Sequence, residues 1–231
     1  MTELILSLDV LDRKRAVSIA ESCAPYIDAI KVGYPLVLSA GLSIVEDLAD
    51  LALPLIADFK VADIPNTNRL ICEAVFAAGF DAVIAHGFVG ADAARTCVEV
   101  AHRHSGAAYI VAEMSHPGAT EFFHGGVAEH LAELAVSCRA DGIIAPATRP
   151  DRISRLREIV GSKAIYSPGV GGRRAATSTR WPGWSTGGSS WEGASTRRRT
   201  RAPKPNASPA SAGDEFSVLI PVRGGDDEPY E

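Results

Sequence analysis

The sequence is poor in the features that mark several common classes of protein. It has four cysteines in 231 residues and no Cys-x-x-Cys pair, which argues against a disulfide scaffold and a zinc ribbon. No apolar run reaches the ~18 residues of a membrane span, so no membrane partner is expected. The net charge of -5 gives no sign of a nucleic-acid-binding surface. Without a basic leader, the chain is expected in the cytoplasm, with its thiols reduced.

A second deficit is local. Residues 173–215 contain no Val, Ile, Leu, Met or Phe, and residues 173–213 hold eight Lys or Arg against a single acid. Such a stretch cannot bury enough apolar surface to offset the entropy lost on folding. The sequence therefore predicts an ordered domain over 1–172 and an irregular tail over 173–231, basic at first and then acidic.

Two interpretations of this tail remain open. It is either a disordered basic segment that binds RNA or a partner, or the product of a frameshift near Gly172. The genetic code permits the frameshift, because Ser-Trp-Glu-Gly at 190–193 can be encoded as TCG TGG GAA GGN. Read one base earlier after an A, those codons give the strand-like Ile-Val-Gly-Arg. Under either interpretation we expect no closing strand from the tail, since Pro221 interrupts its one apolar run at 216–222.

Residues 1–172 alternate strand and helix patterns with short connections. This alternation predicts an α/β fold with a parallel sheet and right-handed crossovers. The fold class that we expect is a TIM (β/α)8-type barrel, and it is incomplete because only seven strands are recognisable. The strands are predicted at 4–10, 29–34, 54–60, 82–87, 107–113, 142–146 and 164–168, and the helices near 12–25, 36–51, 64–79, 90–104, 125–140 and 149–160.

Unusual charges stand at the ends of three neighbouring strands. Asp58 and Lys60 end an apolar strand, where alternation places them on the same side, and Asp63 follows directly. Lys31 and Asp9 end the two preceding strands. A structural ion pair is the simpler interpretation of one such pair, because buried charges are costly. Charges at three strand ends on one rim indicate instead a barrel active site.

The six histidines show no metal-ligand spacing with an Asp or Cys partner, so no metal is expected. His86, at the end of the fourth predicted strand, is interpreted as making a structural hydrogen bond at the rim.

Four segments together resemble a known family. They are KVGYPL at 31–36, DFKVADIPNT at 58–67, EMSHPGA at 113–119 and SPGVG at 167–171. From about residue 3 to Gly172 the chain resembles orotidine 5'-phosphate decarboxylases of the archaeal type, in the ribulose-phosphate-binding barrel superfamily. The DxKxxD pattern is shared with ketogulonate-phosphate decarboxylases and hexulose-phosphate synthases, whereas IPNT and the Ser-His-Pro-Gly loop point to the orotidylate branch.

The resemblance implies cofactor-free decarboxylation of orotidine 5'-phosphate to UMP, in pyrimidine biosynthesis, by a homodimer with composite sites. It assigns the charged catalytic array to Lys31, Asp58, Lys60 and Asp63, the last reaching into the neighbouring subunit's site. The remaining substrate contacts that it implies are Asp9 with Lys31 on the ribose, Ile64 and Thr67 across the interface, Ser115 on the pyrimidine, and Pro168, Gly169 and Arg173 in the phosphate loop. Arg173 stands where the family has a glutamine, a departure that leaves the phosphate grip undefined.

Two alternatives remain beside this function. One is an inactive, truncated or frameshifted barrel with a basic tail. The other is a related phosphate-sugar decarboxylase or aldolase of the same superfamily.

Overall fold

A computed structural model of the protein describes residues 4–170 and 216–221. Over these residues the chain forms a closed barrel whose strands follow one another in sequence order. The strands are β1 (Ile5–Leu8), β2 (Ala29–Gly33), β3 (Leu55–Val61), β4 (Ala82–His86), β5 (Ala107–Val111), β6 (Gly142–Ile144), β7 (Ala164–Val170) and β8 (Phe216–Pro221). The helices are α1 (Arg13–Cys23), α2 (Tyr34–Ala40), α3 (Ile44–Ala49), α4 (Pro65–Ala77), α5 (Ala91–Arg103), α6 (Thr120–Phe123), α7 (Val127–Ser137) and α8 (Pro150–Val160), with a 3-10 turn at Pro117–Ala119.

The first seven strands pair in parallel with their sequence neighbours, which confirms the predicted barrel-type α/β architecture. The register pairs Lys31 of β2 with Ser7 of β1 and with Ile56 of β3. Gly33, the last residue of β2, pairs with Asp58. The carboxyl ends of these strands therefore meet at one rim of the barrel, as the charge pattern required.

Two apolar clusters hold the fold together. The larger lies between the barrel and its helices, and the smaller fills the barrel interior. In the interior, Tyr109 and Tyr166 pack edge to face with ring centroids 4.8 Å apart, and both rings are almost fully buried. This packing makes the barrel a filled core whose chemistry must lie at its mouth.

The helix predicted over 36–51 is in fact two helices. α2 ends before Gly41, whose φ of +75° lies in the left-handed region that favours glycine. α3 begins three residues later at Ile44. Gly41 was the signal for this break in the sequence. The break was missed because the residues on both sides of Gly41 continue the same helical periodicity.

The prediction that the tail supplies no closing strand is wrong. β8 lies between β7 and β1 and runs antiparallel to both, with Leu219 opposite Ile5 and Ile220 opposite Ser167. Two open strand edges offer unpaired backbone groups, and an apolar segment can satisfy both at once. Pro221 is the last residue of the strand, where its missing N–H interrupts little. The other tail residues, and with them the frameshift hypothesis, lie outside the described residues.

Among the helices that the structure describes, none has both the length and the apolar character that crossing a membrane would require. The four cysteines are buried free thiols, as predicted.

Candidate active site

The centre of the site is Asp58, which bridges two lysines at the end of β3. Lys60 Nζ donates to Asp58 Oδ1 at 2.6 Å, and Lys31 Nζ, from β2, donates to Asp58 Oδ2. The side chains of Lys31 and Asp58 are only 7% and 10% exposed, whereas that of Lys60 is 35% exposed. Lys60 thus adds a third charge to the buried Lys31–Asp58 pair, and this charge is the most accessible of the three.

An irregular backbone aims Lys60 at this carboxylate. Lys60 has a φ of +45°, and the register between β3 and β4 shifts between Ala57 and Val61. A non-glycine residue in this conformation costs roughly 1–3 kcal/mol, which the surrounding structure must offset. Simple alternation predicted that Asp58 and Lys60 share a side, and the contact is real. It is reached through a bulge, which re-aims a side chain at a strand end.

The electrostatic balance keeps Asp58 ionised. Burial alone raises the pKa of the Asp58 carboxyl, but the ammonium groups of Lys31 and Lys60 more than offset burial and hold that pKa below its usual range. The site therefore presents a fixed alternation of positive, negative and positive charge.

Asp9 lies beside this array, directly after the neighbouring strand. It follows β1, it is exposed, and its carboxylate sits against the backbone of Gly33. A Cβ atom at Gly33 would approach Asp9 Oδ1 to 2.7 Å, closer than such atoms come. The missing side chain of Gly33 therefore makes room for the Asp9 carboxylate next to the strand that carries Lys31.

The turn after β3 carries Asp63, Ile64 and Thr67 at the start of α4. Asp63 and Ile64 are exposed, and Thr67 is half-buried. Asp63 Oδ1 accepts the backbone N–H of Ile64 at 2.7 Å. Within the described residues Asp63 forms no ion pair, so the structure does not bring it together with Lys31, Asp58 and Lys60 of the same chain.

A charged clasp that the sequence analysis missed supports the loop of Ser115. Glu113, fully buried after β5, accepts from Arg149 Nη1 at 2.9 Å and also from Arg152 Nε. The Arg149 guanidinium further donates to the carbonyls of Met114 at 2.9 Å and His116 at 3.1 Å. Half-buried Ser115 is thereby held on both sides. The available signal was an acid at the end of an apolar strand.

His86 lies at the end of β4, within reach of the charge of Lys60. Its ring stands 4.5 Å from that of Phe88, and within the described part of the chain its buried Nδ1 has no hydrogen-bond partner. The predicted structural hydrogen bond of His86 is therefore not seen at Nδ1 among the described residues. Burial, and then the positive charge of Lys60, lower the pKa of His86 to about 4, so the ring is neutral near pH 7.

The predicted phosphate loop is only partly visible. Pro168 is half-buried in β7, and its carbonyl accepts the N–H of Ala147 at 3.1 Å, while Gly169 follows in the same strand. Arg173 lies outside the described residues. Over 4–170 and 216–221, no group of three His, Cys, Asp or Glu side chains is placed to hold a metal ion.

Known proteins share this sequence and fold. A profile of the orotidine 5'-phosphate decarboxylase / HUMPS family matches residues 2–179. The chain belongs to this family. It is 57% identical over 169 residues to the orotidine 5'-phosphate decarboxylase of Methanococcoides burtonii, covering 73% of this chain and 78% of that one. The enzyme of Thermococcus kodakarensis is 51% identical over 172 residues, which cover 74% of this chain and 78% of that relative.

Solved structures of the family agree with the fold. The orotidine 5'-monophosphate decarboxylase of Methanocaldococcus jannaschii, complexed with the inhibitor BMP, superposes with a TM-score of 0.66 at 46% identity. That match covers 68% of this chain and 73% of the other. The Pyrococcus horikoshii enzyme gives a TM-score of 0.66 at 43% identity, covering 73% of this chain and 79% of its own. The names of these relatives favour the decarboxylase over the alternative of a related phosphate-sugar enzyme.

Proposed function

We propose that the protein decarboxylates orotidine 5'-phosphate to UMP, in pyrimidine biosynthesis, without a cofactor. The observation that carries this proposal is Asp58 held between Lys31 and Lys60 at the mouth of the barrel. Relatives named orotidine 5'-phosphate decarboxylase, among them one that is 57% identical to this chain over 169 residues, support the same reaction.

The array suits a decarboxylation that has no electron sink. Loss of CO2 from C6 of the pyrimidine leaves a carbanion that no conjugated carbonyl can delocalise. The Lys60 ammonium, fixed by Asp58, stabilises this charge and then donates a proton to C6, so the CO2 group is exchanged for a hydrogen. The substrate carboxylate lies near Asp58, and their repulsion, on the order of 1–4 kcal/mol at ~4 Å, is relieved as CO2 leaves. Binding and preorganisation must supply most of the remaining rate enhancement.

The other predicted contacts surround this centre. Asp9 and Lys31 bind the ribose hydroxyls in the proposal, and their position at adjoining strand ends supports it. Ser115 binds the pyrimidine from a loop that the Glu113 clasp holds in place. Pro168 and Gly169 begin the phosphate loop, which continues to Arg173.

We also propose a homodimer with composite sites, acting in the cytoplasm. Large apolar side chains are exposed on the segments after three neighbouring strands, β2, β3 and β4, and such patches mark protein interfaces. They are Tyr34 at 47%, Leu38 at 82%, Ile64 at 65%, Leu70 at 55% and Phe88 at 59% exposure. Asp63, Ile64 and Thr67 lie on this surface and would contribute to the partner's site. The buried free thiols fit a reducing compartment.

The direct test is UMP formation by the purified chain, with Lys60→Ala and Lys14→Ala compared. We expect Lys60→Ala to lose at least about 1000-fold in kcat, because it removes both the charge and the acid. Lys14 is exposed on α1 and serves as the matched surface lysine, with an expected rate equal to wild type. Substantial turnover by the Lys60→Ala enzyme would remove Lys60 from this role, and an inactive wild type would reject the function.

A further inference from the structure

Asn68 is a fully buried polar side chain in the first turns of α4, and the proposed chemistry does not use it. Its Oδ1 accepts the backbone N–H of Asp63 at 2.9 Å, and its Nδ2 donates to the carbonyl of Ala93 at 3.3 Å. Its own backbone N–H donates to the carbonyl of Ile64 at 3.0 Å. Both ends of the amide are therefore engaged, as burial of such a group requires.

These bonds connect the turn after β3 to the next helix along the barrel. Ala93 lies in the first turn of α5, whereas Asp63 precedes α4, which begins at Pro65. Ile64, the residue before α4, offers no side-chain cap, and Asn68 instead reaches back to the N–H of Asp63. The backbone at Asp63 is thus fixed against α5, while the side chains of Asp63 and Ile64 remain exposed.

We propose that Asn68 is a positioning residue that fixes the Asp63–Ile64 turn, so that this turn reaches the active site of a second subunit. The proposal rests on the proposed function, in which Asp63 contributes to the partner's site. Asn68 touches no reacting atom, and its effect passes through the backbone of Asp63. A residue that merely joined α4 to α5 would instead affect the stability of its own chain.

Substitutions separate the two bonds of the amide. Asn68→Leu keeps the approximate shape and removes both hydrogen bonds, whereas Asn68→Asp keeps an oxygen acceptor for the N–H of Asp63. We expect kcat to fall about 10- to 100-fold in Asn68→Leu, since displacement of an active-site group by about 1 Å has effects of this size. Asn68→Asp should retain clearly more activity. Asn66→Leu is the matched control, because Asn66 is exposed on the same helix and bonds only to Arg69 among the described residues.

Hybrid dimers decide in which subunit Asn68 acts. Differently tagged Asn68→Leu and Lys60→Ala chains are co-expressed, and the mixed dimer is isolated through both tags. Its site on the Asn68→Leu chain has an intact Lys60 and receives Asp63 from a chain with native Asn68. We expect this dimer to recover about half of the wild-type rate, from one intact site of two. A hybrid of Lys60→Ala with Asp63→Ala chains is the positive control.

A hybrid as inactive as the Asn68→Leu homodimer, beside an active positive control, would overturn the proposal, as would a fully active homodimer. Asn68→Ala, which also removes both hydrogen bonds of the amide, is tested in the same hybrids, so the result does not depend on folding of the leucine variant. Amide hydrogen exchange gives a readout without turnover, because loss of Asn68 should speed exchange at Asp63. An inactive wild type would reject the proposed function alone, and unchanged exchange at Asp63 would still reject the positioning role.

Discussion

Asp58 forms ion pairs with two lysines of unequal exposure. Because of this difference, we expect the buried lysine to matter for the stability of the fold and the exposed one for the proposed catalysis. Lys31 is as buried as Asp58, so each needs the other to offset the loss of hydration. Lys60 is partly exposed and leaves the Lys31–Asp58 pair intact when it is removed. This asymmetry explains why Lys60→Ala should lose activity while the fold is retained.

His86 makes the stability of the fold depend on pH. Its pKa is lowered from the ordinary 6.5 to about 4, so the unfolded chain binds a proton that the folded chain refuses between those values. The stabilisation is complete above pH 6.5 and is lost as the pH falls to about 4. We expect a loss of roughly 1–2 kcal/mol once the partial exposure of the ring is allowed for.

Urea denaturation of wild type and His86→Gln at pH 7 and pH 4.5 measures this contribution. The pH-dependent loss should be smaller in His86→Gln by the stated amount, because glutamine does not titrate. His130→Gln, at an exposed position on α7, is the control and should behave as wild type. Equal pH dependence in wild type and His86→Gln would show that the ring is not kept neutral by the fold.

The sequence predicted which side chains meet at the site only where the fold allows few other arrangements of those side chains. Lys31 and Asp58 lie near the carboxyl ends of two neighbouring strands. Their charges must meet, because parallel strands align their carboxyl ends at one rim. The left-handed backbone of Lys60 could not be foreseen, since positive φ is signalled by glycine or asparagine and no such residue stands there. The partners of Glu113 were equally hidden, because Arg149 and Arg152 lie 36 and 39 residues further along the chain, at the start of α8.

At the scale of elements, the Glu113 clasp joins the loop after β5 to the two helices that follow. Arg152 donates to Glu113, to the carbonyl of Phe123 at 3.2 Å and to Glu129 at 3.4 Å. The clasp therefore connects α8 with α6 and α7, and Arg149 extends it to the Ser115 loop. The network therefore fixes the Ser115 loop from α6, α7 and α8, so that the loop does not depend on its own few contacts for its position.

Glu113→Gln should both destabilise the fold and weaken substrate binding. Removing a buried carboxylate between two guanidinium groups leaves positive charge uncompensated, at a cost of about 3–5 kcal/mol. We expect a lower denaturation midpoint and a raised KM, because the carbonyls beside Ser115 lose their fixed donor. Glu129→Gln is the matched control, since Glu129 is partly exposed and, over the residues that the structure describes, pairs only with Arg152, at 3.4 Å. A Glu113→Gln enzyme with wild-type stability would rule out the clasp as a structural element.

At the scale of the whole molecule, the barrel closes by a strand of the wrong direction for its class. Seven strands are parallel, yet β8 is antiparallel to both neighbours. We propose that the tail over 173–231 results from a shift of the reading frame near Gly172. The family match ends at residue 179, and the chain covers only 78% of its Methanococcoides burtonii relative. The coding nucleotide sequence tests this proposal: an alternative frame without an Ile-Val-Gly-Arg-like strand would reject it.

The antiparallel closure itself can be tested in the protein as it stands. Leu219→Pro places a proline opposite Ile5 in the interior of β8, where it removes a backbone donor and constrains φ. We expect a loss of about 2–3 kcal/mol in stability, because a ladder bond is lost and its acceptor is left unpaired. Hydrogen exchange should rise along β1 and β7, whose edges become free, and aggregation should increase. Ala212→Pro, outside the described residues, is the control for proline in the tail. If both variants match wild type in stability and exchange, β8 does not close the barrel in solution. The prediction of an open, seven-stranded barrel would then be correct.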